Sequence, residues 1–424
     1  MLRCAGMPNS LPRVLLVMPT MWDRRQLEAC RKDWHERFIV EFGEPADDEC
    51  RADFPVLDYI DRMARRADIA GVFSSSDYPG ATVAAAIATQ AGLPGPDPRA
   101  VLCASHKVVS RQMQQAAVPE ATAEFCTIDP DSADKPAIGF PCFVKPVKGA
   151  FSMFSGRINT LHELRAHLDR PEVREFRHGF MLPFNTLWHR YGGKGVDGSY
   201  FIAEEVLAGT QVTVEGFVAD DEPQVIGVVD TEFYPGTTSF SRFVYPSSLP
   251  PEAQQQMGSI ARRCIAGMGL KRCFFNIEMA WDGRRAHIIE VNPRICGQFA
   301  DLHGKVDGIN TMALALDLVT GADVAWTPGE GDFKLAASVP LRVFAPTLVE
   351  EAPDADQLAG VMERFPGTLA WAEIAAGQMV DEFVFEDGAS FRYCVFNLGA
   401  DSRAELKAKQ REITSALGFA LRAL

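Results

Sequence analysis

Between Cys273 and Gln298 the chain reads CFFNIEMAWDGRRAHIIEVNPRICGQ, two alternating apolar runs around an Asp282-Gly283 turn. The pattern predicts an antiparallel hairpin, and hairpin parity limits what these residues can build. Successive strand side chains point to opposite faces, so Asn276 and Glu278 share a face, as do Glu290 and Asn292. Register decides whether both pairs share the same one. A two-residue turn at Asp282-Gly283 sets Glu278 opposite His287 and leaves Glu290 on the other face, a hairpin that merely carries charges. A three-residue loop, Trp281-Asp282-Gly283 with Gly283 left-handed, sets Glu278 opposite Ala286 and gathers Glu278, Glu290 and Asn292. Two carboxylates and an amide oxygen are a hard-oxygen set suited to Mg²⁺ (or Mn²⁺) bridging phosphate oxygens. Arg294 follows Asn292, with Pro293 stiffening the exit from the strand. An arginine fork beside a metal can hold a carboxylate or a transferring phosphoryl group.

The first hundred residues alternate strand and helix signals. Arg13–Pro19, Arg37–Glu41 and Ile69–Phe73 read as strands, the last ended by Ser74-Ser75-Ser76-Asp77. Polar or alanine-rich helical stretches separate them, near Asp23–Trp34, Phe54–Arg66 and Ala81–Ala91, the last stopping at Gly92. Such alternation predicts a parallel sheet covered by helices. No G-x-G-x-x-G turn follows the first strand, which weakens a nicotinamide reading. Two short helices follow, near Pro98–Ala104 and Lys107–Ala117, then a strand at Phe140–Pro146 leading into a loop. Residues 171–200 are polar and include Gly192-Gly193, and they read as an irregular insertion or mobile loop. Strand–turn–strand alternation covers Phe201–Val229, and a helix spans about Pro251–Met268. From about Glu330 a small α/β unit ends in a helix at Ser402–Leu417.

Composition narrows the function. The net charge of −14 argues against a nucleic-acid partner, which calls for a basic face. No apolar run approaches the ~18 residues that span a bilayer, and the first residues lack a signal-peptide pattern, so a cytoplasmic protein is expected. The 10 cysteines form no Cys-x-x-Cys pair and the 8 histidines no metal spacing, so neither zinc nor redox chemistry is supported.

Ile289-Glu290-Val291-Asn292-Pro293-Arg294, with Glu278 a dozen residues earlier, resembles the metal-binding signature of the ATP-grasp superfamily, specifically its carboxylate–amine ligase branch. Phe201–Gly209 (FIAEEVLAG) looks like the adenine hinge of that family, implying backbone contacts to adenine from Glu205, Val206 and Leu207 with Glu204 nearby. Gln211 stands where relatives place an acidic ribose ligand. Phe143–Gly149 (FVKPVKG) resembles the phosphate-loop strand. It implies that Lys145 faces the phosphates and that Gly149, Ala150 and Ser152 supply amides or a hydroxyl, while the apolar Phe151, Met153 and Phe154 suit a clamp or a buried connector. Lys107 matches the lysine that opens this domain, and Arg242 is a further candidate for offsetting phosphate charge. The resemblance implies an α/β (α+β) ATP-grasp fold in four parts. These are a pre-grasp parallel-sheet domain (1–104), a small subdomain with phosphate loop and insertion (105–200), a large subdomain with the metal site (201–329) and a C-terminal α/β unit (330–424). It further implies ATP and Mg²⁺ as cofactors, an acyl phosphate formed from a small-molecule carboxylate and attacked by an amine, a catalytic role for Arg294, Lys145 and Arg242, and a homodimer. Amino-acid ligases are the most similar layout; a purine-pathway type ligase and a non-catalytic ATP-binding regulator are the alternatives. No dedicated general base stands out, His303 being nearest to the motif in sequence.

Overall fold

The computed structural model describes residues 11–43, 54–149, 152–381, 383 and 389–424. Strands β1 (Arg13–Leu16), β2 (Ile39–Phe42) and β3 (Ile69–Phe73) form a parallel sheet in the order β2-β1-β3. Val14, Leu15 and Leu16 are all buried, because helices cover both faces of a parallel sheet. Leu15 and Val72 pack toward α2 (Val56–Ala64) and α3 (Gly80–Ala91), which stops at the left-handed Gly92 (φ 68°). Val14, Leu16 and Phe73 pack toward α1 (Met21–Ala29) and a helix from far downstream, Thr311–Thr320. The first sheet is thus not closed by residues 1–104 alone. Helices α4 (Pro98–Ser105) and α5 (Lys107–Ala117) lead out of it.

A second, antiparallel sheet runs in the order β4-β7-β5-β6, from β4 (Phe125–Ile128), β5 (Cys142–Pro146), β6 (Gly156–Ile158) and β7 (Phe201–Glu204). Between β6 and β7 lie α6 (Leu161–Leu168), α7 (Pro171–Glu175), a π-helical turn at Phe176–Phe180, and α8 (Leu182–Arg190). This corrects the reading of 171–200 as irregular. Phe176, Phe180, Phe184 and Trp188 recur every fourth residue, a helical stripe dispersed among His, Arg and Asn. The stripe docks on the first domain: the Tyr78 hydroxyl donates to the Phe180 carbonyl at 2.5 Å and accepts the Phe184 N–H at 3.3 Å. His106 stacks on Trp188 with ring centroids 4.4 Å apart. Its Nδ1 accepts the Val109 N–H, so its Nε2–H donates to the Val196 carbonyl at 2.9 Å. That ring is neutral, burial pushing its pKa down to about 4.

The third sheet has eight strands in the order β12-β11-β8-β9-β10-β13-β17-β15. Its first part comprises β8 (Thr210–Val218), β9 (Pro223–Phe233), β10 (Phe240–Tyr245), β11 (Cys273–Trp281) and β12 (Ala286–Asn292). Val212, Val214, Ile277, Met279 and Val291 turn one face onto α9 (Pro251–Gly267). Helices α10 (Ala300–Asp307) and α11 (Thr311–Thr320) follow. The C-terminal unit is not a separate sheet. Its β13 (Leu335–Val343) pairs with β10, and β17 (Phe391–Ala400) and β15 (Leu369–Ala372) extend the same sheet. Only β14 (Thr347–Glu351), β16 (Met379–Val380) and β18 (Ala420–Ala423) form their own small sheet, while α12 (Ala355–Arg364) and α13 (Arg403–Ala416) pack on β13, β15 and β17. Among the described residues no helix is long and apolar enough to cross a membrane.

The order of the 171–200 segment can be tested at Gly193, where a Cβ would lie 2.1 Å from Trp188 Cδ2. Gly193→Ala should destabilise the protein by about 1–3 kcal/mol through overpacking, measured by urea titration. A mobile loop would absorb the methyl group with no change in the midpoint.

Candidate active site

Glu278 stands opposite Glu290 and Asn276 opposite Asn292, so both rows lie on one face of the third sheet. The face is as anticipated, but the register is neither of the two expected. The connection is a four-residue turn, Asp282–Arg285, in which Asp282 Oδ1 accepts the N–H groups of Arg284 and Arg285 at 2.7 Å. Such a turn alone would set Glu278 opposite Ile289 and turn Glu290 away. A β-bulge at Ile289 inserts one extra residue and restores the parity. The rows continue into β8, where Thr213 lies beside Glu278 and Glu215 beside Asn276.

Four buried cations, the half-buried Arg294 and their carboxylates surround this face. Lys107, the first residue of α5, reaches Glu290 at 2.7 Å. Lys145, on β5, reaches Glu204 at 2.7 Å and the Ile289 carbonyl at 3.2 Å. Arg111, one helical turn beyond Lys107, donates from Nε to Glu204 at 2.6 Å and from Nη2 to the Ile289 carbonyl at 2.9 Å. Lys148 donates to Asp77, from the loop after β3, at 2.8 Å. Arg294 completes the set, with its Nη1 buried and without a hydrogen-bond partner. Burial alone would raise every carboxyl here. Against burial, Arg111 and Lys145 hold Glu204 down at about 2. Burial is likewise overcome at Glu290 by Lys107 and Lys145, which keep it ionised. At Glu278 burial wins, and the Glu290 charge adds to it, raising the pKa to about 7. Burial also raises Glu215 to about 8, although Asn276 donates to its carboxyl.

The structure places the remaining sequence candidates unevenly. Glu204 ties down Lys145 and Arg111, and the chain then leaves β7 into Glu205, Val206 and Leu207. There the Glu205 N–H is already committed to the Glu124 carbonyl at 3.0 Å. Gln211 turns to the carboxylate side, donating to Glu278 at 3.0 Å. Gly149 ends the Lys145–Lys148 strand exit, while Ala150 and Phe151 lie outside the described residues. Ser152 is exposed in the left-handed region (φ 55°), a conformation from which anion-holding nests are built. Met153 and Phe154 are buried in the core of the small subdomain, Phe154 against Phe176 at 5.1 Å, so they anchor the loop. Arg242 is not brought to the cluster: it donates to Gln410 at 2.7 Å and to Glu232 at 2.5 Å. Nor is His303, which is fully buried on α10 against Tyr245 and Asp307.

Sequence reasoning missed Arg111, Lys148, Asp77 and Glu215, and it set Asn276 on the Glu278 face without a role. Lys148 stood in the recognised FVKPVKG run and Glu215 in the strand after Gln211, so their residue types were visible. Their partners lie far away in sequence, which no local pattern reports.

The donor set fits a divalent cation shared with phosphate. Glu278 and Glu290 face each other with a cation paired to Glu290 alone, and Glu278 is pushed up to about 7. Among the described residues no three of His, Cys, Asp and Glu gather. Two carboxylates and the Asn292 amide therefore leave positions for phosphate oxygens and water, the usual habit of Mg²⁺. The flanking lysines suit the phosphates themselves.

Comparison with known proteins agrees with this geometry. Residues 138–302 match the model of the ATP-grasp domain family. The chain is 30% identical over 243 residues to an uncharacterized protein, y4rH, of Sinorhizobium fredii, covering 56% of this chain and 45% of that one. It is 33% identical over 102 residues to carnosine synthase 1 of Homo sapiens, covering 24% of this chain and 11% of that one. The chain thus spans under half the length of either relative. Among solved structures it superposes on an L-amino acid ligase from Bacillus licheniformis with TM-score 0.72 and 16% identity, over 97% of this chain and 99% of that one. A phosphoribosylglycinamide synthetase from Anaerococcus prevotii gives TM-score 0.64 and 13% identity, over 97% and 100%. Residues 138–302 thus match an ATP-grasp domain, and the fold over nearly the whole chain is that of the L-amino acid ligase structure.

Proposed function

We propose that the protein is an ATP-dependent ligase that joins a carboxylate to an amine through an acyl phosphate, with an amino acid as a substrate. The carrying observation is the single face bearing Glu278, Glu290 and Asn292 beside Lys107, Lys145 and Arg294. A protein that only senses ATP has no need of a half-buried arginine with an open donor beside a paired-carboxylate site. The likeness to an L-amino acid ligase and to carnosine synthase supports the substrate class. The crevice at the ends of β1 and β3 weighs against a phosphoribosyl amine. Thr20, Ser75 and Asp77 line it, two hydroxyls and a carboxylate that suit an ammonium better than a phosphate.

In this reading Lys107, Lys145 and Lys148 exchange their carboxylate partners for the phosphates of ATP. Glu278, Glu290 and Asn292 hold Mg²⁺, which supplies positive charge to the transferring phosphoryl group. The substrate carboxylate attacks the γ-phosphorus and ADP leaves. The amine then attacks the acyl carbon, phosphate leaves, and the nitrogen loses a proton. Arg294 orients the carboxylate and stabilises the oxyanion of the second step. The protein's part is positioning and electrostatic stabilisation.

Phosphate release from ATP and Mg²⁺ should require an acid and an amine together, over a panel of amino-acid pairs. Glu290→Ala should lower it by at least about 10²-fold; release that one substrate alone sustains, or that survives the mutation, contradicts the reading. The pH profile offers a separate check. Glu278 is protonated below about 7, so MgATP binding in the wild type should weaken by up to about tenfold per pH unit below that point. Glu278→Gln should retain only the part of this dependence that belongs to the nucleotide's own titration. Equal pH profiles for the two proteins would remove Glu278 from the metal site.

A further inference from the structure

The first domain contributes to the site through the ends of its strands. β1 lies between β2 and β3, and the chain packs α1 on one face of the sheet and α2 and α3 on the other. The crevice between the carboxyl ends of β1 and β3 is therefore the topological switch point, where open α/β sheets receive ligands. Thr20 and Ser75 face each other across it, their hydroxyls 3.2 Å apart. Asp77 is two residues further along the same loop.

Asp77 uses only half of its carboxylate. Oδ2 accepts from Lys148, while Oδ1 is buried and has no hydrogen-bond partner. Of this ion pair Asp77 retains 17% exposure and Lys148 1%, so the carboxylate is the member on the open side. Arg294 is the complementary half. Its Nη1 also lacks a partner, and Asp77 is the strongest opposite charge acting on it. An aspartate whose task ended with holding Lys148 and Arg294 would bond both directly. Here the two groups feel each other's charge, yet each keeps one hydrogen-bonding position open.

A carboxylate and a guanidinium with one open position each form a receptor for a molecule carrying both an ammonium and a carboxylate. We propose that Asp77 binds the ammonium of an amino-acid substrate whose carboxylate is held by Arg294, so that the acid to be activated is recognised as a zwitterion. This assignment rests on the ligase reading above and adds a specificity residue to it. It also couples the substrates. Lys107 and Lys148 crowd Asp77 with positive charge until phosphates draw on them, so an ammonium is accepted more readily once ATP is in place.

The test is calorimetric titration of the full chain saturated with Mg²⁺ and a non-hydrolysable ATP analogue. The titrants are the twenty common amino acids and β-alanine, each against its des-amino acid. In the wild type the amino acids that bind should do so at least tenfold more tightly than their des-amino counterparts. Asp77→Asn should close that gap by about tenfold to a hundredfold, the loss expected for a charged hydrogen bond, with analogue affinity retained within about threefold. Asp77→Ser, checked for folding by circular dichroism, should behave alike. An unchanged gap in both variants overturns the proposal, as does a wild type that holds the analogue but binds no amino acid. Loss of analogue affinity in the variants would reduce Asp77 to an anchor for Lys148. A wild type that fails to bind the analogue would instead sink the ligase reading itself.

Discussion

One extra residue in β12 decides the chemistry available to this protein. Without the bulge at Ile289, the turn Asp282–Arg285 would send Glu290 and Asn292 to the face that packs on α9. Two polar side chains would then be buried against Met257 and Ile260, at a cost of several kcal/mol. The bulge is held from outside the hairpin. Its carbonyl, freed from the ladder, accepts from both Arg111 and Lys145. The cations that face the carboxylates therefore also fix the backbone that presents them. Strand register and site electrostatics are one arrangement, and neither is set by the hairpin alone.

The same economy explains how so many buried charges are tolerated. Glu204 takes Arg111 and Lys145, Glu290 takes Lys107, and Asp77 takes Lys148. Each pair draws its members from different elements, and the α5 helix supplies two cations one turn apart. Breaking such a pair by removing one partner typically costs about 3–5 kcal/mol, whereas a polyanion that replaces the carboxylate keeps the lysine compensated. Buried pairs of this kind are poor stabilisers, but they hold cations in place for an incoming phosphate chain. Glu278 is the member left without a cation of its own, which is why its pKa rises while that of Glu290 falls.

Much of this was legible in the sequence where periodicity and chemistry are local. The β1 and β3 strands and the α9 helix follow from alternation and turn residues, whereas the co-facial set of Glu278, Glu290 and Asn292 was reached through a register that the hairpin does not adopt. The bulge was not legible, because Ile289 is an ordinary strand residue whose displacement is fixed by Arg111 and Lys145 more than a hundred positions away. Residues 171–200 hid a helical stripe of aromatics among polar residues, and its stability comes from Tyr78 and His106 of preceding segments. The C-terminal strands look like a separate unit because nothing in Leu335–Val343 announces pairing with β10. Arg242 was misjudged for the same reason, since its partner Gln410 arrives on the last helix.

That continuation of the sheet has a consequence for the site. The segment after Arg294 crosses the sheet face and is pinned there by Gln298. Its side chain donates to Ser338 at 3.0 Å, and its carbonyl accepts from Asn397 at 3.5 Å. Ser338 and Asn397 are paired neighbours on β13 and β17, both fully buried. On its other side the segment passes α1 so closely that a Cβ on Gly297 would lie 3.0 Å from Trp22 Cβ. Trp22 in turn packs edge-on against Trp371 of β15, at 4.6 Å between ring centroids. Arg294 is thus mounted on a segment gripped by the first domain and the C-terminal strands together. A guanidinium on a long, flexible stem gains direction only when its backbone is fixed, and here the parts of the chain most distant in sequence provide that fixation.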